Sequence, residues 1–332
     1  MEQEKKTFKI LSIDGGGIKG LYSSTILEHL EEKYKCSISD HFDMLCGTST
    51  GGLIALALSL KIPAKDISKL YSEEGQKIFP KMSKLKGIIK QVLFKGKFPQ
   101  KPLKDSLQNL FHDKELKESN NLLCIPSFCL TNGKTRVFKK NHSVLDRDDE
   151  ILYVDVALAT SAAPTYFPVH EIHSLSRQQF VDGGVWANNP TMVGLLEAIT
   201  FFVGDGKEYG SIEILSISSL TKSNGLPIGS RKEKSFLHWR NDLFETFMSG
   251  QNFFTNFFME KMAIHMPVPI KYTRIPTAEV SSKNECLVQM DLATNDALDL
   301  MKSMGCDTAT VYSKKDEIAQ FFKTKKTYSI NN

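Results

Sequence analysis

Two glycine-rich turns hold the residues best suited to chemistry in this chain. The second turn reads Gly47-Thr48-Ser49-Thr50-Gly51, with a serine between two glycines. At a tight strand-to-helix corner the glycines remove side chains that would clash, so the serine hydroxyl projects from the backbone. The spacing therefore predicts that Ser49 is the nucleophile of a hydrolase.

The first turn offers backbone hydrogen-bond donors. It reads Asp14-Gly15-Gly16-Gly17-Ile18-Lys19-Gly20. Successive N–H groups can converge on one anion at a helix N-terminus, and an acyl transfer develops negative charge on the carbonyl oxygen. The predicted oxyanion hole consists of Gly15, Gly16, Gly17 and Ile18. The N–H of Thr50 is a further candidate donor, and Lys19 either strengthens the positive field or is a solvated residue at a helix start.

A cofactor-binding interpretation stays open for the same turn. Gly15, Gly17 and Gly20 fit the pattern G-x-G-x-x-G, and Asp40 follows about 20 residues later, where a ribose-binding acid is expected. The residues of this turn alone do not separate a dinucleotide-binding turn from an oxyanion hole.

The base that activates the serine is less obvious. The histidines beyond the midpoint are His170, His173, His238 and His265. None of them has a distinctive neighbourhood. Asp182 is a sharper candidate, because Gly183 and Gly184 follow it and permit a close backbone approach. An aspartate serves as base when it contacts the hydroxyl directly and when partial burial raises its pKa.

Apolar patterns predict the elements that position these turns. The ranges 8–13 and 42–46 read as buried strands, and 52–60 reads as a buried helix, which gives the strand, turn, helix order that a serine elbow needs. Further strands are expected near 122–130, 135–139 and 212–217, and a helix is expected after Pro190.

Four motifs in this order resemble the patatin-like phospholipase family. They are DGGGIKG at 14–20, GTSTGG at 47–52, ATSAAPTYFP at 159–168 and DGGVWANNP at 182–190. The resemblance implies a three-layer α/β/α fold with a mostly parallel central sheet. It implies lipid acyl hydrolysis with Ser49 as nucleophile and Asp182 as base, without a metal or an organic cofactor. The motif glycines are Gly20, Gly47, Gly51, Gly183 and Gly184, and the two asparagines before Pro190 are expected to brace the loop.

Within that family the chain is similar to bacterial effectors of anti-phage (CBASS) systems that a cyclic oligonucleotide activates. The similarity implies a membrane phospholipid substrate, peripheral membrane contact, a cyclic oligonucleotide activator and homo-oligomers induced by that activator. The candidate activator-binding residues are Arg231, Lys232, His238 and Arg240, in a stretch where cations and aromatic rings alternate. The alternatives are a constitutive lipase and a lipid-binding protein with an inert site.

Length and composition agree with one large domain. The chain has 332 residues and 41% hydrophobic content, enough for a single large core. We expect a catalytic core over 8–200 and a C-terminal part of the same domain over 201–332 that carries regulation or oligomerisation. From the charged N-terminus we expect no signal sequence, and no apolar stretch of the sequence is long enough to span a bilayer. A cytoplasmic enzyme acting at the inner membrane surface is therefore expected.

Two further stretches have unusual composition. Between Lys77 and Lys104 there are nine lysines and no acidic residue, which is typical of a lid, a surface that binds anionic lipid, or both. Binding to a DNA or RNA polymer is disfavoured there, because arginine and any known module are missing. The range 244–262 contains six phenylalanines and three methionines, a density that indicates core, an oligomer interface or a lipid-facing surface.

Overall fold

A computed structural model describes residues 5–81, 96–222, 225, 228–229 and 236–329, without the side chains of 236–242. The strands are β1 (Lys6–Ile13), β2 (Met44–Gly47), β3 (Leu122–Cys129), β4 (Lys134–Phe138), β5 (His170–Ile172), β6 (Gln178–Asp182), β7 (Tyr209–Ile217) and β8 (Ile270–Ile275). The helices are α1 (Gly20–Tyr34), α2 (Thr50–Ser59), α3 (Ala64–Ile78), α4 (Lys101–Phe111), α5 (Tyr153–Ser161), α6 (Thr191–Phe201), α7 (Phe236–Met262), α8 (Asn295–Tyr312) and α9 (Asp316–Ala319).

The strands form one sheet in the order β5-β6-β3-β2-β1-β7-β8, and β4 lies beside β3. The pairs β3–β2, β2–β1, β1–β7 and β7–β8 are parallel, whereas β4 and β6 pair with β3 in antiparallel fashion, as β5 does with β6. The sheet therefore has a parallel centre with an antiparallel extension at one side. Strands β7 and β8, from the C-terminal part of the chain, continue it at the other side.

Helices cover both faces of this sheet. Phe8 and Ile10 of β1 lie in a core with α6 and the end of α7. Leu11 and Ile13 lie in a larger core on the opposite face, with α1, α2, α4, α5 and α8. The alternation follows from the two-residue period of a strand, because successive side chains point to opposite faces. The predicted three-layer α/β/α fold with a mostly parallel sheet is confirmed.

The parallel pairing of β1 with β2 brings the two glycine-rich turns together. Ile13 at the end of β1 is in register with Gly47 at the end of β2. Because parallel strands end at the same edge of a sheet, both turns leave the sheet side by side. The end of β6 joins this edge through β3, where Ser127 is in register with Asp182.

Helix α7 explains the aromatic stretch at 244–262. Met248 and Met259 on its inner face are buried, but the outer face exposes phenylalanines. The exposed rings belong to Phe247, Phe253, Phe254 and Phe257. One face of the helix is core, as one interpretation of the composition predicted, and the other is free among the described residues.

The lysine-rich segment is described only at its two ends, and residues 82–95 lie outside the described residues. Phe79 and Phe98 flank this gap, with ring centroids 5.4 Å apart in an edge-to-face arrangement. Both rings also contact Phe167. Lys97 forms an ion pair with Asp291 that is largely buried.

Candidate active site

Ser49 lies at the turn between β2 and α2 with a backbone φ of 53° and ψ of −123°. Few non-glycine residues adopt a positive φ, so the surrounding structure must hold this conformation in place. The flanking glycines are required by space. A Cβ on Gly47 would overlap the carbonyl of Gly51, and a Cβ on Gly51 would overlap that of Ile13. The structure thus has the serine elbow that the sequence predicts.

Asp182 ends β6 and is 1% exposed. Its carboxylate accepts a 2.7 Å hydrogen bond from the N–H of Gly184. Burial raises the pKa of Asp182 to about 7, while hydrogen bonding from Ser49 and from Gly184 acts in the opposite direction. The fold therefore brings the Ser49 hydroxyl and the Asp182 carboxylate together, although they are far apart in sequence.

The glycine turn after β1 lies against Ser49 and Asn188. A Cβ on Gly15 would overlap the side-chain oxygen of Asn188 and would lie 3.3 Å from the Cβ of Ser49. Gly17 has a φ of 62°, and a Cβ there would overlap the carbonyl of Met290. No bulkier residue fits at these two positions without moving the loop.

The prediction of oxyanion donors is wrong for two of the four residues, because their N–H groups already bond to carbonyls of the protein. The N–H of Gly15 donates to the carbonyl of Asn188 at 3.0 Å, and the N–H of Ile18 donates to the carbonyl of Met290 at 2.9 Å. Both amides are saturated by the protein, because one N–H makes one good hydrogen bond. Packing against residues distant in sequence is the reason, and the glycine pattern does not reveal it.

Other amides of the site keep their donor capacity. Within the described ranges, no acceptor meets the N–H of Gly16, Gly17 or Thr50. Thr50 is the first residue of α2, whose N-terminal amides have no intrahelical partner and carry the positive end of the helix dipole. These three amides can stabilise an oxyanion formed next to Ser49.

An ion pair between Asp14 and Arg274 anchors the glycine turn. Arg274 on β8 donates to the Asp14 carboxylate at 2.6 Å and to the Ser216 hydroxyl at 2.5 Å. The neighbouring carboxylate raises the pKa of Arg274 above its usual value. The N–H of Asp14 donates to the carbonyl of Ile217 at 3.0 Å. The C-terminal strands therefore fix the loop that carries the free amides.

Lys19 is 5% exposed, so the interpretation of a solvated helix-start residue is wrong. Its side chain lines a small cavity behind the glycine turn, together with Lys222 and Glu245. Burial lowers the pKa of Lys19, and the Glu245 carboxylate acts against that shift.

An apolar cavity opens beside Ser49. Its walls come from α2, α3 and α4, and the main apolar residues are Leu53, Leu70, Ile78, Leu103 and Leu107. This lining suits a hydrocarbon chain. Tyr71 on the wall bonds to Thr50, whereas the buried hydroxyl of Ser161 has no partner among the described residues.

The loop after Asp182 is braced as the two asparagines led us to expect. The backbone of Asn188 donates to Gln251 of α7 at 3.0 Å, and its side chain donates to Asn252 at 3.0 Å. Asn189 accepts from the N–H of Thr191 at 3.0 Å at the start of α6.

The remaining candidates have another partner, are exposed or fall outside the described residues. His170 contacts Asp155 at 2.9 Å, and His173 and His265 are exposed. The candidate activator residues Arg231 and Lys232 fall outside the described residues, as do the side chains of His238 and Arg240 in α7.

The described residues also bear on a dinucleotide site, a metal site and a membrane-spanning helix. Asp40, which a dinucleotide site needs near its ribose, pairs with Lys61 at 3.1 Å, so the site gives the dinucleotide interpretation no support. No group of three His, Cys, Asp or Glu side chains in the described ranges could hold a metal ion, and no described helix is long and apolar enough to cross a bilayer.

Three residues that the sequence analysis assigned no role also contact the site. Thr160 belongs to one of the four motifs, whereas Met290 and Arg274 lie outside them. Thr160 accepts a 3.0 Å hydrogen bond from the N–H of Ser49. Met290 covers the glycine turn, and Arg274 holds Asp14. Thr160 was signalled by its position in the ATSAAPTYFP block. Met290 and Arg274 lie beyond residue 218, where the pattern of elements is hard to read.

The chain is similar to known phospholipases. A family model described as patatin-like phospholipase matches residues 11–195. A cGAMP-activated phospholipase of Pseudomonas aeruginosa is 34% identical over 246 residues, which are 74% of this chain and 72% of the relative. A protein of the same name from Vibrio cholerae is 29% identical over 346 residues, which are 97% of this chain and 96% of that relative. The solved structure of human GIVD cytosolic phospholipase A2 aligns with a TM-score of 0.45 at 11% identity, over 97% of this chain and 61% of that one.

The serine elbow and the family match together define a lipid ester hydrolase of the serine type. The chain belongs to the patatin-like phospholipase family.

Proposed function

We propose that this protein releases fatty acid from membrane phospholipids, with Ser49 as nucleophile and Asp182 as base. One observation carries the proposal: the Ser49 hydroxyl faces a buried carboxylate at the wall of an apolar cavity. The hydroxyl oxygen attacks the acyl carbonyl carbon and gives its proton to Asp182. The N–H groups of Gly16 and Gly17 meet the oxyanion that forms.

The rest of the reaction uses the same groups. The bond between the acyl carbon and the glycerol oxygen breaks, and Asp182 returns its proton to the leaving oxygen. Water then attacks the acyl-enzyme while Asp182 again accepts a proton, and fatty acid leaves as Ser49 regains its hydrogen. A base with a pKa of about 7 suits both directions of proton transfer near neutral pH.

We propose that the enzyme acts as a peripheral protein at the inner membrane surface. The lysine-rich composition of the range 77–104 would attract anionic lipid headgroups. The segment begins at the end of α3, which lines the cavity beside Ser49. Peripheral binding at this point would bring the ester to the cavity.

The proposed switch is a cyclic oligonucleotide. The support comes from relatives named cGAMP-activated phospholipases, two of which match nearly the whole chain. The basic and aromatic stretch containing Arg231, Lys232, His238 and Arg240 is the proposed binding region. We also propose that the activator drives homo-oligomer formation.

The decisive experiment measures fatty acid release from phospholipid vesicles with and without a panel of cyclic di- and trinucleotides. The proteins are wild type, Ser49→Ala, and Ser24→Ala as a matched control. Ser24 is a buried serine of α1 whose hydroxyl, among the described residues, bonds only to the Leu21 carbonyl of its own helix. We expect release by wild type and Ser24→Ala with one activator, and none by Ser49→Ala.

The outcomes separate the parts of the proposal. Release by Ser49→Ala at the wild-type rate would overturn the catalytic assignment. Equal wild-type release with and without nucleotide would leave a constitutive lipase and remove the switch. An Arg231→Ala/Lys232→Ala variant tests the binding region, because it should need more nucleotide for half-maximal activity. Size-exclusion chromatography with the active nucleotide tests the oligomer.

A further inference from the structure

The nucleophile is held in its strained conformation by a residue that is distant in sequence. Ser49 has a positive φ, and its N–H donates to the hydroxyl oxygen of Thr160 at 3.0 Å. Thr160 is fully buried on α5. A strained backbone persists only when its surroundings fix it, and this hydrogen bond is a side-chain contact that acts directly on the strained residue.

The Thr160 hydroxyl is itself fixed in direction. It donates its one hydrogen to the carbonyl of Pro126 at 2.6 Å, so its lone pairs remain for the N–H of Ser49. Its methyl group lies against α2, because a Cβ on Gly52 would sit 2.9 Å from that carbon. Both the hydroxyl and the methyl of the threonine side chain are therefore used.

The same few residues also hold the base. The N–H of Asp182 donates to the carbonyl of Ala162 at 3.0 Å, two residues beyond Thr160. A Cβ on Gly183 would overlap the carbonyl of Pro126, the same carbonyl that accepts from Thr160. The end of α5 and the Pro126 carbonyl thus form a bracket between Ser49 and Asp182.

We propose that Thr160 is a positioning residue that sets the Ser49 hydroxyl against the Asp182 carboxylate. This inference rests on the proposed function of Ser49 as nucleophile. Thr160 lies outside the lining of the apolar cavity and acts through the Ser49 backbone. Losing its hydroxyl leaves the Ser49 N–H and the Pro126 carbonyl unpaired, and the elbow relaxes toward an ordinary backbone conformation.

A matched set of variants tests the role of the hydroxyl. Thr160→Val keeps the shape and removes both hydrogen bonds, and Thr160→Ser keeps both bonds and removes the methyl group. Thr25→Val is the control, because Thr25 is a buried threonine of α1 whose hydroxyl bonds only to Leu21 of its own helix within the described part of the chain. All are assayed with a soluble short-chain ester, under the nucleotide condition that gives wild type its highest activity.

Three readouts separate positioning from stability. The first is kcat and KM for the ester. The second is the rate and final extent of Ser49 labelling by a fluorophosphonate. The third is the thermal unfolding midpoint. For Thr160→Val we expect kcat and the labelling rate to fall about a hundredfold, since small misplacements of reacting groups have effects of that order. We expect KM and the final extent of labelling to stay at the wild-type level, and Thr160→Ser and Thr25→Val to resemble wild type in kcat and in labelling rate.

Three results would overturn the inference. One is that kcat of Thr160→Val, divided by the fraction of Ser49 that becomes labelled, equals the wild-type value. Another is that activity falls only in proportion to the labelled fraction, because that result reports a loss of folded protein. The third is Thr160→Ser being as slow as Thr160→Val. If Thr160→Val does not fold, Thr160→Ala is measured by the same criteria. An active Ser49→Ala refutes the proposed function instead, whereas an inactive Ser49→Ala with an active Thr160→Val refutes only this inference.

Discussion

The backbone N–H of Ile18 donates a 2.9 Å hydrogen bond to the carbonyl of Met290. The two residues belong to opposite ends of the chain, and the contact places a loop that precedes α8 directly on the glycine turn. Asp291, the next residue, pairs with Lys97 within the lysine-rich segment. The loop at Met290 and Asp291 therefore helps to fix the conformation of the glycine turn, in addition to the glycines of the turn itself.

Gly17→Ala is expected to remove activity and to destabilise the fold. Gly17 has a φ of 62°, and the added Cβ would overlap the Met290 carbonyl. The matched control is Gly133→Ala, because Gly133 has the same φ and open space around its Cβ position. In urea unfolding, the free energy of unfolding of Gly133→Ala should fall by about 1 kcal/mol, because alanine disfavours the positive φ. The free energy of unfolding of Gly17→Ala should fall by clearly more. Equal losses in both variants would refute the close packing of Met290 on the turn.

The pH dependence of kcat/KM should follow Asp182. The base must be ionised to accept the serine proton, and burial raises its pKa to about 7. We expect the rate with a soluble ester to rise as pH increases through about 7 and to level off above that value. A midpoint near the ordinary aspartate pKa of about 4 would contradict the buried environment of this carboxylate.

Asp182→Asn should be inactive and yet more stable than wild type at alkaline pH. The folded pKa of about 7 lies above the unfolded one, so the native state holds the proton that the unfolded state has lost. The contribution of Asp182 to the free energy of unfolding therefore falls as pH rises from about 4 to about 7. Above about pH 7 this loss of stability is complete and stays constant. At pH 8 the free energy of unfolding of Asp182→Asn, measured with urea, should exceed that of wild type by on the order of 2 to 4 kcal/mol. An equal difference between the two proteins at pH 5 and pH 8 would speak against this.

Leu103→Trp should discriminate against long acyl chains. Leu103 on α4 lines the apolar cavity, and a larger ring there would fill space that hydrocarbon needs. The control is Leu110→Trp on the same helix, since Leu110 packs on the core outside the cavity lining. We expect kcat/KM for a long-chain ester to fall about tenfold or more, the order of effect of lost apolar contacts in a pocket. The value for a short-chain ester should change little, and a parallel fall for both esters would argue against an acyl site.

The local sequence predicts the individual parts of the site well. Three glycines followed by a helix, and a serine between glycines after a strand, can form few backbone structures, because only glycine tolerates the contacts seen at Gly47 and Gly51. The apolar runs locate β1, β2 and α2 to within a few residues. The elements after residue 218 escape prediction, since α7 buries one side and exposes phenylalanines on the other, which blurs its pattern.

What the sequence determined by itself is the set of residue types and the tight turns that present them. Only the tertiary structure decided which amides stay free and which residues hold the serine in place. Gly16 and Ile18 are neighbours in one motif, yet Met290 occupies only the amide of Ile18. The pKa of Asp182 is likewise a property of its burial beside Ser49. Such contacts join residues from distant parts of the chain, and no local pattern encodes which of them will meet.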